Sequence, residues 1–348
     1  MHREKIILFV HEYANFSAII KDALQNLGFT VYELKIPNQK FKYSNLKDRI
    51  YNFIRKTLFK DYSYKDKLKQ KISEQKIIDQ LALIDQVDYA LIIRADVLSI
   101  KTINIIKSKA KQTSAYQWDG LNRFPLIYET ISLFDHFFVF DTQDLSTPFT
   151  RPITNFYFDH LDTSNLVSQN KAIFIGSYFE NRNKVLQNIV TKLNTNGVDT
   201  QIKIYSDNKN EIQKIKKLNF EHLKSIMTYE ENLQHIFSMD ILIDVHVNEH
   251  NGLSFRFFEG LGFNKKVITT NQSVKHYDFY NKNNIFIWGE DKDSELIEFI
   301  SSPYCPIPSE IKYKYSFENW IKYVLNLEKH IPITLQNTLP PGASINPK

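Results

Sequence analysis

Short apolar runs alternate with helix-length segments along this chain, twice over and with one lapse between, and that alternation constrains the fold more than any other feature. Residues 5–10 read as a strand, 17–27 as a helix stopped at Gly28, and 30–36 as a second strand. After a long basic stretch come strands at 89–93, 114–118 and 136–141, separated by helices at 100–110 and 126–134. Polar residues 145–170, with Pro148 and Pro152, break the rhythm and read as a connection. It restarts with strands at 172–175, 201–205, 241–245, 266–270 and 285–288, and helices at 182–194, 229–237, 253–260, 294–300 and 317–327. Strand–helix–strand repetition predicts parallel sheets with helical crossovers. The 348 residues are long for one core, and domains of roughly 150–200 residues are the natural division. The expected fold is therefore α/β, with two Rossmann-like doubly wound lobes and an interlobe cleft. The lobes span 1–155, with a basic helical insert at 40–84, and 170–330. A tail at 334–348 lacks core-forming residues.

Several function classes drop out. No apolar run approaches the roughly 18 residues that span a bilayer, and the N-terminus lacks a signal peptide's cleavage region, so a cytoplasmic protein is expected. Cys305 is the only cysteine, which excludes an intrachain disulfide or a cysteine-based metal site. Phosphate-loop, nucleophile-elbow and zinc-protease motifs are absent. His246 and His250 share helical spacing where no helix is expected, and no D-x-D segment occurs, so no metal is expected.

Charge is concentrated between Lys40 and Lys76, where 12 Lys/Arg face 4 Asp/Glu with tyrosines and phenylalanines interleaved. A solvated helical face, a surface for anionic membrane lipid or a lipid-phosphate substrate, and a nucleic-acid site all fit that pattern. No nucleic-acid module accompanies it, so no nucleic-acid partner is assigned.

The densest candidate site is NGLSFRFFEGLGFNKKVITTN at 251–271, which holds three of the nine glycines. A helix beginning here would set Asn251, Gly252 and Ser254 at its N-terminus, where free N–H groups favour an anion. Arg256 on the first turn could reach a phosphate, and Glu259, three residues on, could take vicinal hydroxyls such as a ribose's. The plainer alternative is a surface ion pair over a packed helix, with glycines easing helix–strand contact.

The segment resembles the nucleotide-sugar-binding region of GT-B glycosyltransferases, particularly a group encoded in bacterial lipopolysaccharide and capsule clusters. Its pattern of Gly-Leu-Ser, Arg, Glu and Lys-Lys-Val-Ile-Thr stands at 252–271, and Tyr-Asp-Phe-Tyr-Asn follows at 277–281. YQWDGLNRFP at 116–125 and FDHFFVFD at 134–141 are similar to further elements of the group. The resemblance covers most of 1–330. It implies that Glu259 holds the donor ribose, that Arg256 with the 252–254 turn holds the phosphate, and that Gly176 and Ser177 meet the donor through backbone amides. Many retaining members carry a second glutamate eight residues before the first, where this chain has Asn251, so no stereochemistry is assigned.

The first half should then supply the acceptor site and a base. Polar residues after its strands are the candidates: His11 and Glu12, Arg94 and Asp96, and Asp119. Of these, His11, Asp96 and Asp119 are the catalytic candidates, whereas Asp135 and Asp141 read as structural. The resulting expectation is transfer from a nucleotide-sugar donor, a co-substrate with no further cofactor, to a lipopolysaccharide, O-antigen or capsule acceptor, lipid-linked or free. The basic segment would touch the anionic inner membrane. A nucleotide-sugar epimerase of the same architecture and a non-catalytic nucleotide-sugar or polysaccharide-binding protein are the alternatives.

Overall fold

The structure, a computed structural model, describes residues 3–11, 13–36, 41–161, 170–246 and 252–335. It divides into two compact units, Met1–Pro152 and Ile153–Lys348.

Unit 1 runs β1 (Lys5–Val10), α1 (Phe16–Asn26), β2 (Thr30–Leu34), α2 (Leu46–Leu58), α3 (Ser63–Ala82), β3 (Val87–Ile93), α4 (Ile100–Lys109), β4 (Ala110–Gln117), β5 (His136–Val139) and β6 (Thr150–Pro152). All six strands are parallel, in the order β2-β1-β3-β4-β5-β6. Such strands are covered on both faces, which is why Ile6 to Phe9 are continuously apolar and fully buried. In α1, Phe16, Ile20, Ala23 and Leu24 share one face and are buried, the 3.6-residue period of a helix lying on a sheet. α3 buries Ser73, Ile77 and Leu81 at four-residue spacing. α2 buries nothing.

Unit 2 runs β7 (Lys171–Ser177), α5 (Glu180–Thr195), β8 (Asp199–Tyr205), α6 (Lys209–Lys217), β9 (Glu221–Leu223), α7 (Tyr229–Phe237), β10 (Ile241–Asp244), α8 (Phe255–Phe263), β11 (Lys266–Thr269), β12 (Ile285–Ile287), α9 (Glu295–Ser301), α10 (Ser309–Lys314) and α11 (Phe317–Val324). Its parallel sheet has the order β12-β11-β10-β7-β8-β9. In both sheets the chain builds to one side of the first strand and then crosses to the other. Right-handed crossovers then place helices on both faces, and the carboxyl ends of the strands flanking the reversal form a crevice. Both units are Rossmann-like α/β folds, as the sequence predicts.

Two of the glycines at 260–262 answer to packing. A Cβ on Gly260 would stand 2.6 Å from the Val267 side chain, and one on Gly262 would stand 2.2 Å from the Tyr157 ring. Both lie inside α8, which can approach β11 and residue 157 only without side chains there.

The structure departs from the sequence reading in several places. Residues 126–134 form two short 3-10 segments, Pro125–Glu129 and Ile131–Leu133, in place of one helix. Thr130 separates them, its hydroxyl turned back to the Ile127 carbonyl at 2.9 Å. The supposed connection holds β6, and beyond it Ile153, Phe156 and Phe158 are fully buried in unit 2. Helices α6 and α10 and strand β9 were not expected. α6 buries only Ile215, and Glu221–Leu223 has no apolar alternation to announce a strand. Residues 334 and 335 of the expected tail are described, and Leu335 is buried; 336–348 lie outside the described residues, as does residue 40 of the insert.

Candidate functional site

At the carboxyl end of the unit 2 sheet, β10 terminates in Asp244, whose carboxylate accepts from Ser254 Oγ at 2.7 Å and Thr269 Oγ1 at 2.9 Å. Ser254 precedes α8, so Asp244 fixes where that helix starts. The first turn of α8 carries Arg256 and the second Glu259. Glu259 has no exposed surface. Its Oε1 accepts from the Tyr229 hydroxyl at 2.7 Å, and its Oε2 pairs with Arg256 Nη1. Arg256 Nη2 donates to Asn232 Oδ1 at 2.7 Å. Tyr229 and Asn232 are presented by α7, whose start is set by a capping box between Thr228 and Glu231. Burial, reinforced by the Glu259 charge, pushes the Tyr229 phenol well above its ordinary range, so it stays a donor. The pair is thus not the surface pair of the plainer alternative: it is sealed at its carboxylate end, and Arg256 is its partly exposed member.

Aromatic rings back this pair. Phe156 packs against Phe255, Phe317 and Trp320, and Phe158 against Tyr229. The Tyr-Asp-Phe-Tyr-Asn motif is part of the same scaffold. Asp278 accepts from the Tyr315 hydroxyl at 2.6 Å and Lys314 Nζ at 2.9 Å, while Phe279 packs on Phe258 and Tyr315. Gly176 and Ser177 are the last residues of β7, the strand beside β10 at the reversal, and the Arg182 guanidinium donates to the Ser177 carbonyl. Gly252 is buried, and Asn251 lies outside the described residues.

The corresponding end of unit 1 is built on Arg94, which follows β3 in a left-handed backbone conformation (φ 70°) rare for a side-chain-bearing residue. Its guanidinium grips Asp96 with two nitrogens, at 2.6 and 2.8 Å, and reaches Asp119 Oδ2 at 3.1 Å. It also lies 3.6 Å from the centre of the Phe124 ring. Asp96 Oδ1 accepts from Gln117 at 3.2 Å, and Asp119 Oδ1 from Arg123 at 2.9 Å. Both carboxylates are therefore occupied on both oxygens. His11, which follows β1, differs: no hydrogen bond engages its ring among the described residues. Burial, then the Arg94 charge, lowers its pKa, against smaller opposing pulls from Asp96 and Asp119, so the imidazole is neutral near pH 7. His11, Arg94 and Asp96 line a cavity of about 880 Å³ whose far wall comes from the basic insert. Glu12 lies outside the described residues.

Within unit 1 the structure brings His11, Asp96 and Asp119 together, and within unit 2 it gathers Ser254, Arg256 and Glu259. Sequence reasoning missed Tyr229, Asn232, Asp244 and Phe124. Only Asp244 left a signal, a carboxylate ending the apolar run ILID. Among the described residues no cluster of three or more His, Cys, Asp or Glu is placed to hold a metal ion, and no helix is long and apolar enough to cross a membrane.

No protein-family model matches the chain, and no curated protein matches it in sequence. The chain shows low-identity likeness to several solved structures. An alpha-glucosyltransferase in complex with UDP and a mismatched DNA is 13% identical, with a TM-score of 0.49 over 91% of each chain. AviGT4, a glycosyltransferase of avilamycin A biosynthesis, is 8% identical, with a TM-score of 0.49 over 89% of this chain and 91% of that one. The E. coli heptosyltransferase WaaC, solved with ADP-2-deoxy-2-fluoro heptose, is 14% identical, with a TM-score of 0.38 over 85% of this chain and 98% of its own. Independently of these likenesses, strand order and register define the two Rossmann-like units.

Proposed function

We propose that this protein is a metal-independent GT-B glycosyltransferase that moves a sugar from a nucleotide-sugar donor to a glycan acceptor of lipopolysaccharide, O-antigen or capsule type. The observation that carries this reading is the Arg256–Glu259 pair at the carboxyl end of a Rossmann-ordered sheet, within the segment whose sequence resembles a donor site. Unit 2 holds the donor. The donor phosphate draws Arg256 outward, supported by the positive end of α8, and the Glu259 oxygen this vacates takes a ribose hydroxyl. Gly176, Ser177, Gly252, Ser254 and Asn251 contribute backbone and side-chain contacts. Unit 1 supplies the acceptor and the base. With Asp96 and Asp119 committed to arginines, His11 is the group free to take a proton. The acceptor oxygen bonds to the anomeric carbon and gives its proton to the His11 imidazole. The bond from that carbon to the donor phosphate oxygen breaks, and the phosphate leaves with the electron pair, its charge met by Arg256.

The basic segment supports peripheral contact with an anionic membrane. Leu46, Ile50, Phe53 and Leu58 expose a continuous apolar face of α2, flanked by Lys47, Arg49, Arg55 and Lys56. Sedimentation with anionic vesicles, lost at high salt and absent with neutral vesicles, is the expected result.

A thermal-shift panel of nucleotides and nucleotide sugars tests the donor site. A true donor at one hundred times its Kd stabilises the fold by about 2.7 kcal/mol, and Arg256→Met abolishes the response. Silence across the panel overturns the proposal. Turnover of a nucleotide sugar without acceptor would mark an epimerase instead.

A further inference from the structure

The cavity of unit 1 has a chemical character that a neutral glycan does not explain. Six cationic side chains line it against three carboxylates, Asp61, Asp66 and Asp96. Each carboxylate is already engaged: Asp61 by Arg55 and Ser63, Asp66 by Lys69 at 2.7 Å, and Asp96 by Arg94. Lys42 and Lys60 have no ion-pair partner among the described residues. Uncompensated cations in a concave, partly apolar site focus potential on a bound anion.

The position of Lys60 is built. It follows α2 in a left-handed conformation (φ 51°), at the turn into α3. Arg55 fastens that turn from one side by pairing with Asp61, and the Asp61 carboxylate fastens it from the other by accepting from the Ser63 backbone N–H at 2.8 Å and the Ser63 hydroxyl at 2.7 Å. A lysine is thereby held at the cavity wall in a backbone state it does not favour. The insert wall also carries Phe41, Tyr62 and Ile72 among its polar residues. Just before Lys60 the chain leaves α2 through the exposed Leu58 and Phe59.

We infer that this cavity binds the phosphate of an amphipathic acceptor, with the phosphate on Lys42 and Lys60 and the apolar body along Phe41, Tyr62 and Ile72. Lysines suit this ligand as point charges on a phosphate ester. The inference rests on the transferase reading and narrows its acceptor to a lipid phosphate, whose chain continues from the cavity onto the apolar face of α2.

The test titrates the full-length protein with geranyl phosphate, geraniol and glucose 1-phosphate by calorimetry, below any micelle concentration. Geranyl phosphate binds at least tenfold more tightly than either other probe. Lys42→Glu/Lys60→Glu removes that binding, and the milder Lys42→Gln/Lys60→Gln weakens it at least tenfold, with unchanged circular dichroism. Equal binding of geraniol, equal binding of glucose 1-phosphate, or indifference to both double variants overturns the inference. Nucleotide titration of the same samples separates the two readings. Lysine-dependent geranyl phosphate binding without any nucleotide binding sinks the transferase and leaves this site standing. Nucleotide binding without geranyl phosphate binding does the reverse.

Discussion

Each unit buries an arginine–carboxylate pair where its sheet ends, yet only one of the two leaves its arginine partly open. In unit 2 the carboxylate is the sealed member: Glu259 has no exposed surface, and the Arg256 side chain keeps 15% of its own. In unit 1 both members are enclosed: the Arg94 side chain keeps 8% of its surface and Asp96 6%, with Arg94 against the Phe124 ring and also held by Asp119. One arrangement offers a positive charge outward, suited to a phosphate. The other neutralises its charge internally and leaves a neutral imidazole facing a cavity. Similar residue types on similar topologies thus suit the proposed donor binding in one place and the proposed proton transfer in the other.

The largest expected effect comes from the imidazole. His11→Gln lowers the transfer rate by about 10²–10⁴-fold with nucleotide affinity unchanged; an equal loss of nucleotide affinity would erase the division of labour. Next is Glu259→Ala, which leaves Arg256 and Tyr229 without their buried partner and costs about 3–5 kcal/mol in denaturant unfolding. Asp96→Ala costs less, about 1–3 kcal/mol, because Arg94 keeps Asp119 and Phe124 and borders a solvent-accessible cavity. Equal costs for the two carboxylates would mean that the pairs are not built differently after all. The smallest effect is in pH dependence. Burial, then the Arg94 charge, holds the His11 pKa below the ordinary histidine value, so the acid limb of the activity profile falls at lower pH than a free imidazole's would. The unfolded chain binds that proton first, so the stability His11 contributes also declines as pH falls through this window.

The fold was legible where burial and apolarity coincide. Strands such as Ile6–Phe9 and the α7 segment, with its Thr228–Glu231 box, announce themselves locally. Segment α6 did not, because its one buried residue, Ile215, leaves no periodic stripe. At the site, the spacing of Arg256 and Glu259 was visible, but the burial of Glu259 was not. A charged residue reads as exposed until a partner thirty positions earlier, Tyr229, is known to reach it. The pattern of α2 left its role open between a solvated face, a lipid surface and a nucleic-acid site, and the structure shows that its apolar residues are not buried among the described residues.

Residues 153–158 bear on how the chain is made. The Thr154 carbonyl accepts from the Trp320 indole 166 residues later, and residue 157 exchanges backbone hydrogen bonds with Tyr315 and Phe317. During synthesis unit 1 has every strand of its sheet once Pro152 has emerged. Unit 2 begins with a segment that gains Tyr229 and Phe255 part-way through, but whose backbone and indole partners are translated more than 150 residues later, so its cover stays incomplete while the sheet forms. Such long-range closure is slow. The nascent chain therefore carries a finished first unit and an apolar segment awaiting its cover, which makes the interval before α11 appears the period when it most needs protection from aggregation.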